Sequence, residues 1–189
     1  MGRIPPMVDG GGGKSSGKWF RISSLKNRET AAVRGRFTGE FVSGFEGWDT
    51  DNKPHRAPTM AELLQKMKEA GAELRVEDDQ RNPKQFWASE FVNVSDDMVQ
   101  AISFTQVSIF KALDALDNDP EWGDLNGYDV TIKYLKDKSG KVSYSVSPCK
   151  PTKLSAKLDG ELTALRDKWV GLEALYHNGD PFADYASVK

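Results

Sequence analysis

The residues in this chain best suited to chemistry are cations interleaved with aromatic rings, and the chemistry they suit is non-covalent. Guanidinium and ammonium groups spaced along strands can follow a phosphate backbone, and exposed ring faces can stack bases at about 1–3 kcal/mol each. Lys18, Arg21, Arg34, Arg36, Lys133 and Lys141 supply the cations, and Trp19, Trp48 and Phe45 supply the rings. Arg56 adds a guanidinium in the same segment as the last two rings. Trp19 is chosen because it shares a strand face with Arg21. Trp48 and Phe45 are chosen because residues 42–58 are too rich in glycine and polar residues to need core aromatics.

Charge is unevenly spread. Seven basic residues from Lys14 to Arg36 stand against one acid, Glu29, and seven from Lys133 to Lys157 stand against Asp137 alone. The net charge of -2 and isoelectric point near 5.8 therefore describe an acidic middle flanked by two basic segments. Laid side by side, those segments would form a positive groove that confines polyanions to one face.

Reactive chemistry is poorly supplied. Cys149 is the lone cysteine and His55 and His177 the only histidines, too few for a zinc site and without a pairing that would activate a thiol nucleophile. Gly10-Gly11-Gly12-Gly13-Lys14-Ser15 suggests a phosphate loop, but Val8 stands where that motif needs its first glycine, and a flexible linker accounts for the run. Asp96-Asp97 and Glu77-Asp78-Asp79 fall at expected turns, where acids cap and solvate rather than hold a divalent ion. The expectation is a protein without enzymatic activity, cofactor or metal.

The elements that would position these residues follow from periodicity. Residues 18–22 read as a strand, 26–29 as its turn and 30–41 as a long partner strand softened by Gly35 and Gly39, whose lack of a side chain suits the bulges a small barrel needs. Residues 42–58 read as a loop. Thr59 with Glu62 makes a capping box for a helix ending at Gly71. Brief and longer strands are expected at 72–76, 85–94 and 98–104, a helix at 105–116 stopped by Asp119-Pro120, and a hairpin from 128–135 and 142–146 around a turn at 137–140. Residues 155–175 carry Leu158, Leu162, Leu165, Trp169 and Leu172 at helical spacing, a stripe suited to its own barrel or to a neighbour. The whole reads as mostly β with flanking helices, a five-stranded barrel bounded by an N-terminal flexible tail (1–17) and, after residues 18–154, a C-terminal helix (155–175) and a tail (176–189).

One ordered series of features resembles the single-stranded DNA-binding proteins of tailed bacteriophages. Lys18-Trp19-Phe20-Arg21-Ile22 is similar to the start of that barrel. Residues 100–116, then Asp119-Pro120-Glu121-Trp122-Gly123-Asp124-Leu125, Tyr128-Asp129-Val130-Thr131-Ile132 and Tyr144-Ser145-Val146-Ser147-Pro148 resemble the family's helix, Asp-Trp-Gly connection, Tyr-Asp strand and closing strand. The resemblance spans residues 18–154. It implies an OB-type barrel and sequence-independent binding of single-stranded DNA, coating and protecting it during phage replication and recombination. The chain departs from relatives that hold a structural zinc and from those that end in a strongly acidic tail, since residues 178–189 hold two acids. The implied partners are single-stranded DNA and replication or recombination proteins, met through the C-terminal helix or tail. An OB-fold serving instead as a protein-interaction or RNA-binding module is the alternative. No apolar run approaches a membrane span and the N-terminus lacks the apolar core of a signal peptide, so the expected setting is the cytoplasm of an infected bacterial host, away from membranes.

Overall fold

Among the described residues, short runs of β-branched and aromatic residues separated by turn formers produce eight strands, which follow one another along the chain with three α-helices. They are β1 (Trp19–Arg21), β2 (Ala32–Phe37), β3 (Val42–Trp48), β4 (Pro54–Ala57), α1 (Met60–Glu69), β5 (Lys84–Asn93), β6 (Met98–Phe104), α2 (Val107–Asp117), β7 (Val130–Lys136), β8 (Val142–Pro148) and α3 (Ala156–Arg166). The structure is a computed structural model and describes residues 18–76, 82–177, 179, 181 and 182. The tail at 1–17, the glycine run within it and the Glu77-Asp78-Asp79 turn lie outside the described residues, as does most of the C-terminal tail. The protein is mostly β with a few helices, and its residues gather into two compact units. Among the described residues, one comprises 42–87 and those from 168 to 182; the other comprises 18–41 and 88–167.

In the second unit the strands run in the order β1-β6-β5-β2-β7-β8, with β1 parallel to β6 and β2 antiparallel to both β5 and β7. The path is open. The end strands β1 and β8 are not paired with each other among the described residues, so the expected closed five-stranded barrel is not formed. The expected hairpin of residues 18–41 is also replaced. Residues Ile22–Asn27 coil into a 3-10 turn that buries Ile22 and Leu25, and β1 leaves β2 to pair with β6 through Trp19↔Ala101 and Arg21↔Ser103. A tight turn would have left both apolar side chains in water.

Phe20, Phe37 and Phe91 share the inner face, with ring centroids 5.6 Å (Phe20–Phe91) and 5.3 Å (Phe37–Phe91) apart. Val33, Ile102, Ile109, Leu113, Tyr128 and Ile132 are buried with them. Gly35 forms no bulge here: a Cβ at that position would overlap the Phe91 ring, so the glycine lets an aromatic side chain lie directly on the strand. On the opposite face α3 seats Leu158 and Leu162 against Val92, with Val94, Val99 and Leu154 packed around them. Leu158 and Leu162 of the expected stripe are thus used on the chain's own sheet, whereas Trp169 and Leu172 fall in the other unit. The helix is shorter than the expected 155–175: it stops at Arg166, Gly171 follows at φ +98°, and Leu172–His177 form a 3-10 turn of the other unit.

In the first unit residues 42–58 are a hairpin rather than a loop, β3 pairing β4 from Phe45↔Ala57 to Trp48↔Pro54. The turn is built by Asp49, whose Oδ1 accepts from Lys53 N at 2.8 Å and whose carbonyl accepts from Asn52 N. Local polar bonding of this kind makes a polar, glycine-rich segment look like a loop while it is holding two strands together. Residues 72–76 contribute one bridge, Asp49↔Leu74, rather than a strand. Ala57, Leu63 and Met67 form this unit's core with Phe45, Met60, Ala72 and Leu74. The capping box forms as expected, Thr59 Oγ1 accepting from Glu62 N at 3.2 Å and Glu62 Oε2 from Thr59 N at 3.1 Å. Among the described residues no helix is long and apolar enough to cross a membrane.

Candidate nucleic-acid interface

β7 has β2 on one side only as far as Lys133, the last registered pair being Ala32↔Lys133, followed by a bond from Tyr134 N to Ala31 O at 2.8 Å. β7 and β8 continue together to Lys136↔Val142. Beyond Tyr134 they are therefore a two-stranded ribbon extending past their neighbour, with its turn at residues 137–140. Strand alternation puts Thr131, Lys133 and Leu135 on one face with their partners Ser147, Ser145 and Ser143. Arg34, registered opposite Thr131, joins that face from β2.

Lys133, Lys136, Lys138 and Lys141 are all exposed on or beside the ribbon, and none pairs with a carboxylate among the described residues. Asp137, the acid among them, is occupied within the turn: its Oδ1 accepts from Ser139 Oγ at 2.6 Å and from the backbone N–H groups of Ser139 and Lys141 at 2.9 Å each. The Ser139 hydroxyl, followed by those backbone donors, holds its carboxyl below the usual aspartate range. Leu135 and Val142 are exposed here too, at 45% each. Tyr134 and Tyr144 pair edge to face at 5.8 Å and are half-buried, although sequence alternation assigns Tyr144 to the core. Their position beyond the reach of β2 separates them from true core tyrosines such as Tyr128.

The arginines of β2 differ sharply. Arg36 is buried: its Nε bonds Asp129 Oδ1 at 2.9 Å and its Nη2 bonds the Thr152 carbonyl at 2.5 Å. Arg34 takes the other oxygen of the same carboxylate, with Nη2 at 2.7 Å from Oδ2, yet keeps 42% of its side chain exposed. Asp129, 2% exposed, is thus clamped between two guanidinium groups, a role that sequence reading misses because an acid at a strand entrance resembles a turn residue. Arg34 with Lys133 is what remains open on this face.

The other sequence candidates are dispersed. Trp19 and Arg21 lie on edge strand β1, on the face opposite Phe20, with Lys18 exposed just before them. That is the same sheet face as Arg34, but β6 and β5 intervene and α3 covers them at Val99 and Val92. The two basic groups do not form one uninterrupted groove. Phe45, Trp48 and Arg56 belong to the first unit and serve its packing. Phe45 lies against the Leu63 cluster. Glu46 accepts from Trp48 Nε1 at 2.9 Å and pairs with Arg56 at 2.5 Å, and the Arg56 guanidinium sits 5.6 Å from the Phe86 ring centroid. The expectation that these three stand free in a loop is corrected by the hairpin that uses them. Asp96 and Asp97 stand in the turn between β5 and β6, as expected, but there Asp96 pairs with Arg28 and Asp97 with Lys157 rather than merely capping or meeting solvent.

No family model matches the chain, and no curated protein or solved structure does.

Proposed function

We propose that the protein binds single-stranded nucleic acid, DNA in the first instance, along the β7–β8 ribbon and the adjoining Arg34 side of β2, in the manner of the phage single-strand binders it resembles. The observation that carries the reading is the ribbon itself: four exposed lysines, with the acid between them tied into its own turn. Ammonium groups on flexible stems along a protruding ribbon follow a backbone without demanding a fixed base order, the requirement for sequence-independent coating. Serines 143, 145 and 147, on the face that carries Lys133, add short polar groups that reach phosphate or sugar oxygens without blocking the strand.

Anisotropy titration of labelled oligo-dT, with unlabelled duplex as competitor and at two salt concentrations, tests this. Strand-selective, salt-sensitive binding that weakens in Lys133→Ala/Lys141→Ala supports it. Absence of binding at low salt overturns it and leaves the basic ribbon to a folded RNA or an acidic protein partner.

A further inference from the structure

We infer that a cavity of about 540 Å³ in the sheet-and-α3 unit is a phosphate-binding subsite. Arg36, Thr38, Asn126, Lys153, Asp159 and Arg166 contribute to its lining. Two arginines line it, and each guanidinium is anchored. Arg36 spends Nε and Nη2 on Asp129 and the Thr152 carbonyl. Arg166 spends Nε and Nη2 on Glu90, at 2.9 and 2.6 Å, and Nη2 also on the Thr38 carbonyl at 2.5 Å. In both the Nη1 N–H donors have no partner among the described residues; Nη1 of Arg36 is not among the sealed orphan atoms, and the Arg166 side chain is 47% exposed. Guanidinium groups already held in place, with donors left over, lose little further freedom on closing around an anion, and their fork matches phosphate oxygens.

Lys153 adds an exposed ammonium without a carboxylate partner. Asp159 opposes it, and that carboxylate makes the site testable by charge in both directions. The volume exceeds one phosphate group and leaves room for an attached nucleoside. The phosphate is therefore that of a free nucleotide or of a strand. In the second case the inference rests on the proposed function; the anion site itself does not.

The test uses the full chain, with inorganic phosphate and thymidine monophosphate as probes in calorimetric titrations, and oligo-dT anisotropy in parallel. Lys153→Ala is expected to weaken both small probes about tenfold, and Asp159→Asn to tighten them about threefold. Both side chains are exposed, and unchanged thermal unfolding confirms that the variants fold. Oligo-dT affinity that shifts in step assigns the phosphate to a strand; oligo-dT affinity that stays put assigns it to a free nucleotide. Saturable phosphate binding by a protein that ignores oligo-dT retains the subsite and discards the single-strand reading. No saturable binding of either small probe, or affinities that ignore both substitutions, overturns the inference.

Discussion

Arg36 and Asp129 meet at 2.9 Å, Nε to Oδ1, with side chains only 8% and 2% exposed, and they join β2 to the residue that precedes β7. Arg34 holds the carboxylate's other oxygen at 2.9 Å through its own Nε. This pairing fixes the Arg36 guanidinium in place and leaves Arg34 shared between structure and surface.

Asp129→Ala is expected to cost about 3–5 kcal/mol, because it leaves a buried guanidinium without its counter-charge. Urea unfolding followed by circular dichroism measures it. A loss no larger than that of an ordinary surface substitution would mean that water or the Thr152 carbonyl suffices for Arg36. It follows that lost binding in an Arg36 variant is no measure of contact with nucleic acid.

The ribbon lysines give the cleaner test. For single strands the slope of log K against log salt changes by roughly 0.7 per phosphate contact, so Lys133→Ala/Lys141→Ala should flatten it by about 1.4 while leaving the unfolding midpoint in place. A slope equal to that of the parent protein would place the nucleic acid elsewhere.

Gly35→Ala should destabilise by about 1–3 kcal/mol, since its methyl group must displace the Phe91 ring from a filled core. Thermal unfolding reports the loss. Tolerance of the substitution would show that the strand can bow away from β5 at little cost.

Asp49 sets a pH dependence in the other unit. Burial pushes its carboxyl up, but the hydrogen bond with His55 Nε2 at 2.8 Å, together with the Lys53 N–H, outweighs that and leaves it below the ordinary 3.8. A depressed folded value contributes stability that is complete above 3.8 and is lost as the pH falls through the lower folded value. Unfolding midpoints should therefore drop on acidification below about pH 4, and Asp49→Asn should remove that part of the drop. An identical acid limb in the variant would rule Asp49 out as its source.

Thr59→Ala should cost about 1 kcal/mol by removing the Oγ1 acceptor that the Glu62 N–H bonds at the start of α1. Thr59→Ser, which keeps the acceptor, should restore most of it. If the two variants unfold alike, the hydroxyl is not what starts the helix.

Local hydrogen bonding and side-chain period are written into neighbouring residues, and what depends on them alone was legible. The Thr59–Glu62 box, the strand at Met98–Phe104, the stop of α2 before Asp119-Pro120 and the hairpin around residues 137–140 needed only neighbours to form. So did the exposure of Lys133 and Lys141, which lie on a strand's solvent side and beside a turn.

Choices between distant partners were made by the tertiary structure. Whether β1 joins β2 or β6, whether the sheet closes or stays open, and whether Arg36 meets solvent or Asp129, 93 residues away, depend on which buried surface and which charge pairing win once the chain has collapsed. The period of a strand says which side chains share a face; it does not say what covers that face. Here α3 covers its middle, separating Trp19 and Arg21 from Arg34 and leaving the ribbon as a separate cationic surface.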